Sequence, residues 1–198
     1  MKKTSIFIDF SFYIYLAFGV LLVPLRWFMA WLAAAAFHEI CHLLLIRWHR
    51  IQILQVRFTG WGVFMQTAPM NRKEEFLCAL AGPLGGIALL LFLRVMPRLA
   101  ICAAIQSAYN LLPIYPFDGG RALHGVLTCL FPYDKVRCVE FCAAIVVFST
   151  LTFLSFIVCF KVRAGLYPMA FVVLLWLRYK KSLANHSACE YNIVNRNI

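Results

Sequence analysis

Apolar runs of membrane-spanning length recur along this 198-residue chain and constrain its fold more than any other feature. A helix rises 1.5 Å per residue, so a bilayer core about 30 Å thick needs roughly 20 apolar residues to cross it. Bounding such runs by charge, proline or glycine yields six: Ile6 to Leu25, Trp27 to Ile46, Phe76 to Met96, Arg98 to Tyr115, Val136 to Phe160 and Val162 to Tyr179. Only 14% of residues are charged and the mean hydropathy is +0.80, which excludes a soluble domain and a disordered chain. The first run is too long for the apolar part of a signal peptide and no small-x-small cleavage site follows it, so it is expected to remain as a span.

The expected fold is therefore an all-α polytopic membrane protein with about six transmembrane helices. A short membrane-associated β-hairpin is expected after the second, because Arg50 to Thr67 shows partial alternation broken at Thr59-Gly60-Trp61-Gly62. A single domain is expected over residues 1–181, with a polar tail over 182–198.

The formal net charge of +11 does not point to nucleic acid, since the basic residues stand singly or in pairs at the ends of apolar runs. They read as membrane anchors. Placing the N-terminus in the cytosol gives cytosolic loops Lys2, Lys3, Arg47, Arg50, Arg57, Arg72, Lys73, Arg121, Lys135, Arg137, Arg178, Lys180, Lys181 and Arg196, which is 14 of the 19 basic residues. Arg26, Arg94, Arg98, Lys161 and Arg163 fall on the other side. The bias puts both termini, the Ile46 end of the second run and the Asp118 end of the fourth on the cytosolic side. The eight cysteines form no CxxC pair and lie mostly within apolar runs, which suits small buried hydrophobes better than a disulfide framework.

Ionisable residues at membrane depth are costly and mark functional sites. The second run contains His38-Glu39-Ile40-Cys41-His42, an HExxH sequence. On a helix its two histidines share one face one turn apart, close enough to bind one zinc ion, with the intervening Glu in reach of the attacking water. His38 is eight residues from Ile46, so the site lies about 12 Å inside the cytosolic end of the helix. Catalytic zinc ordinarily takes three protein ligands. Asp118 is the leading candidate for the third, in a segment from Asn110 to Arg121 whose two prolines and two glycines break the helix at membrane depth, where irregular backbone survives only if buried in protein or lining a polar cavity. Taken alone, Asp118 reads equally well as the N-cap of a helix starting near Arg121, and the presence of HExxH favours the ligand. His124, six residues on and off the Asp118 face, is a weaker alternative. Asp9, Asp134 and Glu140 lie nearer run ends, where solvation or pairing with Lys135 and Arg137 is expected. His49 and His186 are expected at the interface.

These residues resemble the site-2 protease family of intramembrane zinc metalloproteases, which pair an HExxH in one transmembrane helix with an Asp in an NxxPxxPxDG segment of a later one. Here that segment stands as Asn110-Leu-Leu-Pro113-Ile-Tyr-Pro116-Phe-Asp118-Gly119-Gly120. The stretch Ala81-Gly82-Pro83-Leu84-Gly85-Gly86 looks like the family's small-residue helix segment, expected to pack closely beside the HExxH helix. Within the family the chain is most similar to the compact type represented by stage IV sporulation protein FB, which cleaves the pro-sequence from a sporulation sigma factor at the membrane. Neither a PDZ-like insertion nor a CBS domain after residue 181 is expected, and nucleotide sensing of the kind attributed to longer relatives is not expected with them.

The resemblance implies peptide hydrolysis with one zinc per chain held by His38, His42 and Asp118, and with Glu39 as the acid and base. It places Asn110 in the same cavity, where its amide can hydrogen-bond substrate backbone or the oxyanion. A transmembrane substrate must be extended to be cut, and the hairpin around Ile53 and Val56 is the expected edge for adding that strand. Pro113 and Pro116 are expected to line the path for water and substrate from the cytosol. The expected partners are a membrane-associated protein substrate, such as a tethered pro-protein, and regulatory membrane proteins that set the timing. The competing class is a metal or proton-coupled transporter using the same cluster as a transit site. It would call for inverted repeats or polar residues spread across the bilayer, whereas this chain gathers them at one depth.

Overall fold

The computed structural model describes residues 4–161 and 166–194, with the side chains of residues 133 and 181–194 outside that description. Lys2, Lys3, Arg163, Lys181, His186 and Arg196, among the residues assigned above to loops and interfaces, therefore lie outside the described side chains. The chain divides into two compact units, Met1–Asn110 and Leu111–Ile198.

The first unit opens with a strand, not with a helix. Strand β1 (Ser5–Ile8) leads into helix α1 (Phe10–Leu22) and then helix α2 (Leu25–Trp48). Strands β2 (Ile53–Thr59) and β3 (Gly62–Thr67) follow, then helix α3 (Arg72–Ala88), which tightens into a 3-10 turn over Leu89–Phe92, and helix α4 (Pro97–Asn110).

The expected span from Ile6 to Leu25 is thus corrected: its first residues pair in parallel with β2, Ser5 opposite Gln55 through Ile8 opposite Phe58. The boundary is set at Asp9, whose backbone N–H donates to the Phe58 carbonyl at 2.9 Å while its carboxylate accepts from the Ser11 N–H at 2.9 Å. A carboxylate bonded to the free N–H groups of a first turn is an N-cap, so α1 begins at the next residue. Its 13 residues rise about 20 Å and none is buried.

The expected hairpin is present, joined at Gly60 and Trp61 and fastened by Thr59, whose hydroxyl donates to the Gly62 carbonyl and accepts from the Trp61 N–H. Parallel pairing of β1 makes it a three-stranded sheet with β2 in the middle. Ile53 and Val56 therefore lie on an inner strand. Val56 faces Ile6 on one side and Met65 on the other, and the carbonyl of Ile53 is taken by the Thr4 hydroxyl. The outer strands of the sheet are β1 and β3, so the edge that the expected hairpin offers is that of β3, and Ile53 and Val56 lie one strand in from it.

The core of this unit lies where α2, α3 and α4 pack, around Ala34, Leu89, Cys102 and Ala103 with Ala30, Trp31 and Leu99 against them. Small side chains let the helices close in. At the α2–α4 contact the buried Gln106 donates from Nε2 to the Trp31 carbonyl at 2.9 Å, an interhelical bond suited to apolar surroundings.

In the second unit a non-helical segment over 111–117 leads into helix α5 (Asp118–Leu130), followed by α6 (Tyr133–Lys161) and α7 (Tyr167–Val194). Helix α7 runs through much of the stretch expected as a polar tail. Helix α6 packs on both α5 and α7, where Phe148 meets Tyr179 with ring centroids 5.5 Å apart.

Among the described residues, three helices are long and apolar enough to cross a membrane: Leu25–Trp48, Arg72–Phe92 and Asp134–Lys161. Phe10–Leu22 is a shorter apolar helix, and α4 stops at Asn110 after 14 residues.

Candidate functional site

The buried residues of α2 are Phe28, Ala34, His38, His42 and Ile46, a stripe at helical spacing in which two of the five positions are histidine. Both rings are 6% exposed, so each is a polar group withdrawn from solvent that needs a partner. His42 Nδ1 lies 2.7 Å from the carbonyl of Cys78 on α3. A carbonyl only accepts, so Nδ1 carries the proton and the lone pair is left on Nε2. That Nε2 stands 3.1 Å from Nε2 of His38, with the ring planes 77° apart.

Helix α3 supplies the room for this arrangement. A Cβ at Gly82 would collide with Nε2 of His42 and with the His38 ring, and Pro83 and Gly86 beside it are buried as well. The close packing expected of Gly82 is therefore realised against the ring nitrogens of the two histidines. The turn that starts α3 is held by Glu74, whose carboxylate accepts from the Asn71 N–H at 3.0 Å.

Asn110 ends α4, and its Nδ2 stands 3.5 Å from Nε2 of His38. His38, His42 and Asn110 are thus brought together within one unit. Glu39 follows His38 on α2 and is half-buried. It lies three residues before His42, the spacing of neighbours on a helix surface.

In the second unit Asp118 is the first residue of α5, and the N-cap is Phe117. The N-cap reading of Asp118 is therefore set aside. A carboxylate in the first turn interacts favourably with the helix dipole, and this one lies 3.8 Å from the Arg121 guanidinium with 13% of its side chain exposed. Two glycines make the turn possible. A Cβ on Gly119 would strike the carbonyls of Leu111 and Leu112, and one on Gly120 the Ile114 backbone, so the 111–115 segment lies directly on the first turn of α5. Pro113 and Pro116 are half-buried in that segment, and the Tyr115–Pro116 peptide is cis.

Sequence reasoning missed a contact here. His124 on α5 bonds Glu140 on α6, Nδ1 to Oε1 at 2.7 Å, where solvation of Glu140 or its pairing with Lys135 and Arg137 was expected.

The pair of imidazoles fits a metal. Two ligands held about 2.0–2.1 Å from one tetrahedral zinc stand about 3.3 Å apart, close to the separation seen here, and a ligating histidine characteristically gives its other N–H to a carbonyl or carboxylate, as His42 does.

In fold the chain is similar to the Site-2 Protease from Methanocaldococcus jannaschii, with a TM-score of 0.63 and 18% identity over 92% of this chain and 93% of that one. No family model matches the sequence. No curated protein matches it either.

Proposed function

We propose that the protein is an intramembrane zinc metalloprotease that hydrolyses a peptide bond in or near a membrane-associated segment of its substrate. The observation that carries this reading is the buried His38–His42 pair, Nε2 to Nε2 at 3.1 Å, with the His42 proton committed to the Cys78 carbonyl. The site-2 protease fold and three helices of membrane-crossing length support it.

In this reading His38, His42 and Asp118, the ligating residue types of the HExxH and PxDG sequences, are the ligands of one metal ion. Two imidazoles and a carboxylate suit zinc and leave its fourth position open. Zinc, when bound, makes water nucleophilic near neutral pH and polarises a carbonyl. Glu39 takes the proton of the attacking water and returns it to the leaving amine. Asn110 donates from Nδ2 toward the oxygen of the scissile carbonyl as charge develops there. An extended substrate strand adds to the outer edge of β3, and Pro113 and Pro116 line its approach.

In this reading the protein is a membrane protein with about six crossings, with both termini and the mouth of the site toward the cytosol. The substrate is a membrane-tethered protein, of the kind exemplified by a sporulation pro-sigma factor, and partner membrane proteins set the timing.

The test compares wild type with Glu39→Gln on a tethered pro-protein, with zinc measured in both. Zinc near one per chain in each and cleavage by wild type alone is the expected result. Equal cleavage by the two proteins removes Glu39 from the chemistry.

A further inference from the structure

We propose that His124 and Glu140 are positioning residues that fix the head of α5 and with it the carboxylate of Asp118. The inference rests on the reading of Asp118 as a metal ligand.

Helix α5 has little of its own to hold it. Its sequence, Asp118-Gly-Gly-Arg-Ala-Leu-His-Gly-Val-Leu-Thr-Cys-Leu130, spends three positions on glycine, which lowers helix propensity and offers no side chain to pack. Its buried residues are Gly119, Gly120, Ala122, Gly125 and Leu127, so Leu127 is the one large apolar anchor among them. A ligand at the first residue of such a helix needs its position set by something stiffer.

The His124–Glu140 bond supplies that. At 2.7 Å it lies in the short range of charge-assisted hydrogen bonds, and because a carboxylate only accepts, His124 Nδ1 is the donor. The side chains are 19% and 24% exposed, and Glu140 falls within the membrane-crossing stretch Asp134–Lys161. A carboxylate there is costly. Stability alone does not explain it, because a partly exposed ion pair adds little and can commonly be replaced by apolar residues at no loss.

A contact runs from this bond to the segment just before Asp118. The Tyr115 ring meets the His124 ring nearly edge-on, centroids 5.9 Å apart, three residues before Asp118 in the chain. The Arg178 guanidinium of α7 lies 4.9 Å over the ring of Phe117, the residue immediately before it. Glu140 thus holds His124, and His124 holds both α5 and the segment packed on its first turn. Six residues, about 9 Å of helix, separate His124 from Asp118, which makes its action one of placement.

The experiment uses the full chain purified in detergent, loaded with cobalt(II) in place of zinc, and compares Glu140→Gln, Glu140→Asp and the double variant His124→Leu/Glu140→Leu. Metal content, the visible cobalt spectrum, melting temperature and the kcat and KM of cleavage are measured. Gln keeps the reach and an accepting oxygen, so its spectrum and kcat are expected within about threefold of wild type. Asp keeps the charge but is one methylene short, and the double variant keeps neither. Both are expected to shift the cobalt spectrum and lower kcat at least tenfold with KM little changed, the double variant while melting no lower than wild type. A wild-type spectrum and kcat in the double variant, or rescue by Asp and not by Gln, overturns the proposal. Failure of the wild-type protein to take up cobalt overturns instead the metal reading on which the proposal stands.

Discussion

His42 and Cys78 are joined by a 2.7 Å hydrogen bond from imidazole Nδ1 to a backbone carbonyl, and this bond fixes which nitrogen of His42 faces His38. The acceptor belongs to α3, the same helix whose Gly82 leaves space for both rings. One helix therefore sets the tautomer and the clearance of a pair carried by another.

Gly82→Ala tests the clearance. The added methyl group collides with ring atoms that cannot move without losing either the Cys78 bond or their mutual approach. Metal affinity should fall by about 10- to 100-fold, the usual cost of disturbing groups that orient metal ligands. Gly85→Ala presses on the Cys41 sulfur and not on a ring nitrogen, and should keep most of its metal. Equilibrium dialysis against zinc measures both, and equal affinities in the two variants would contradict the account.

Zinc should also stabilise the fold. A ligand that binds only the folded state adds about 2.7 kcal/mol at a free concentration 100 times its Kd. Thermal unfolding in detergent should move upward by several degrees on adding zinc to chelator-stripped protein. His38→Ala and His42→Ala should show no such response, since each removes one of the two buried donors.

Asn110 separates binding from chemistry. Its amide approaches Nε2 of His38 to 3.5 Å, too long for a strong bond, which suits a donor that acts on substrate. Asn110→Ala should therefore retain zinc and lose cleavage by about 10²- to 10³-fold, the cost of one oxyanion donor. A variant that sheds its zinc would instead assign Asn110 to holding His38.

Parts of this architecture were legible in the chain because they are local. The four-residue spacing of His38 and His42 places both on one face of any helix, and Thr59 to Gly62 specifies its turn by its own side chains. The strand Ser5–Ile8 was not legible, since an apolar run ahead of an apolar helix reads as one helix until its partner, about 50 residues later, is known. Glu140 was misassigned for the same reason: Lys135 and Arg137 are near in sequence, while His124 reaches it only once α5 and α6 pack together. Asp118 was ambiguous between cap and first turn because the difference is one residue of backbone conformation at Phe117.

Proline substitutions along β3 test where substrate binds. Successive N–H groups of a strand point to opposite edges, so on the outer strand β3 alternate residues bond β2 or face outward. Proline removes one N–H and is tolerated in a sheet only where that N–H is not needed by the ladder. Placed in turn at Val63, Phe64, Met65 and Gln66, proline should divide the variants into two interleaved classes. Where the lost N–H bonded β2, the sheet weakens, and hydrogen exchange over residues 53–67 accelerates. Where it faced outward, exchange and zinc content stay as in wild type while cleavage slows at least tenfold, because the substrate strand has lost a backbone partner. Val56→Pro belongs to the first class, since on the inner strand β2 an N–H faces a neighbouring strand whichever edge it points to. Cleavage that survives proline at all four β3 positions would leave the β1 edge as the site of strand addition, and cleavage lost in step with sheet stability at each would show that the sheet supports the site without binding substrate.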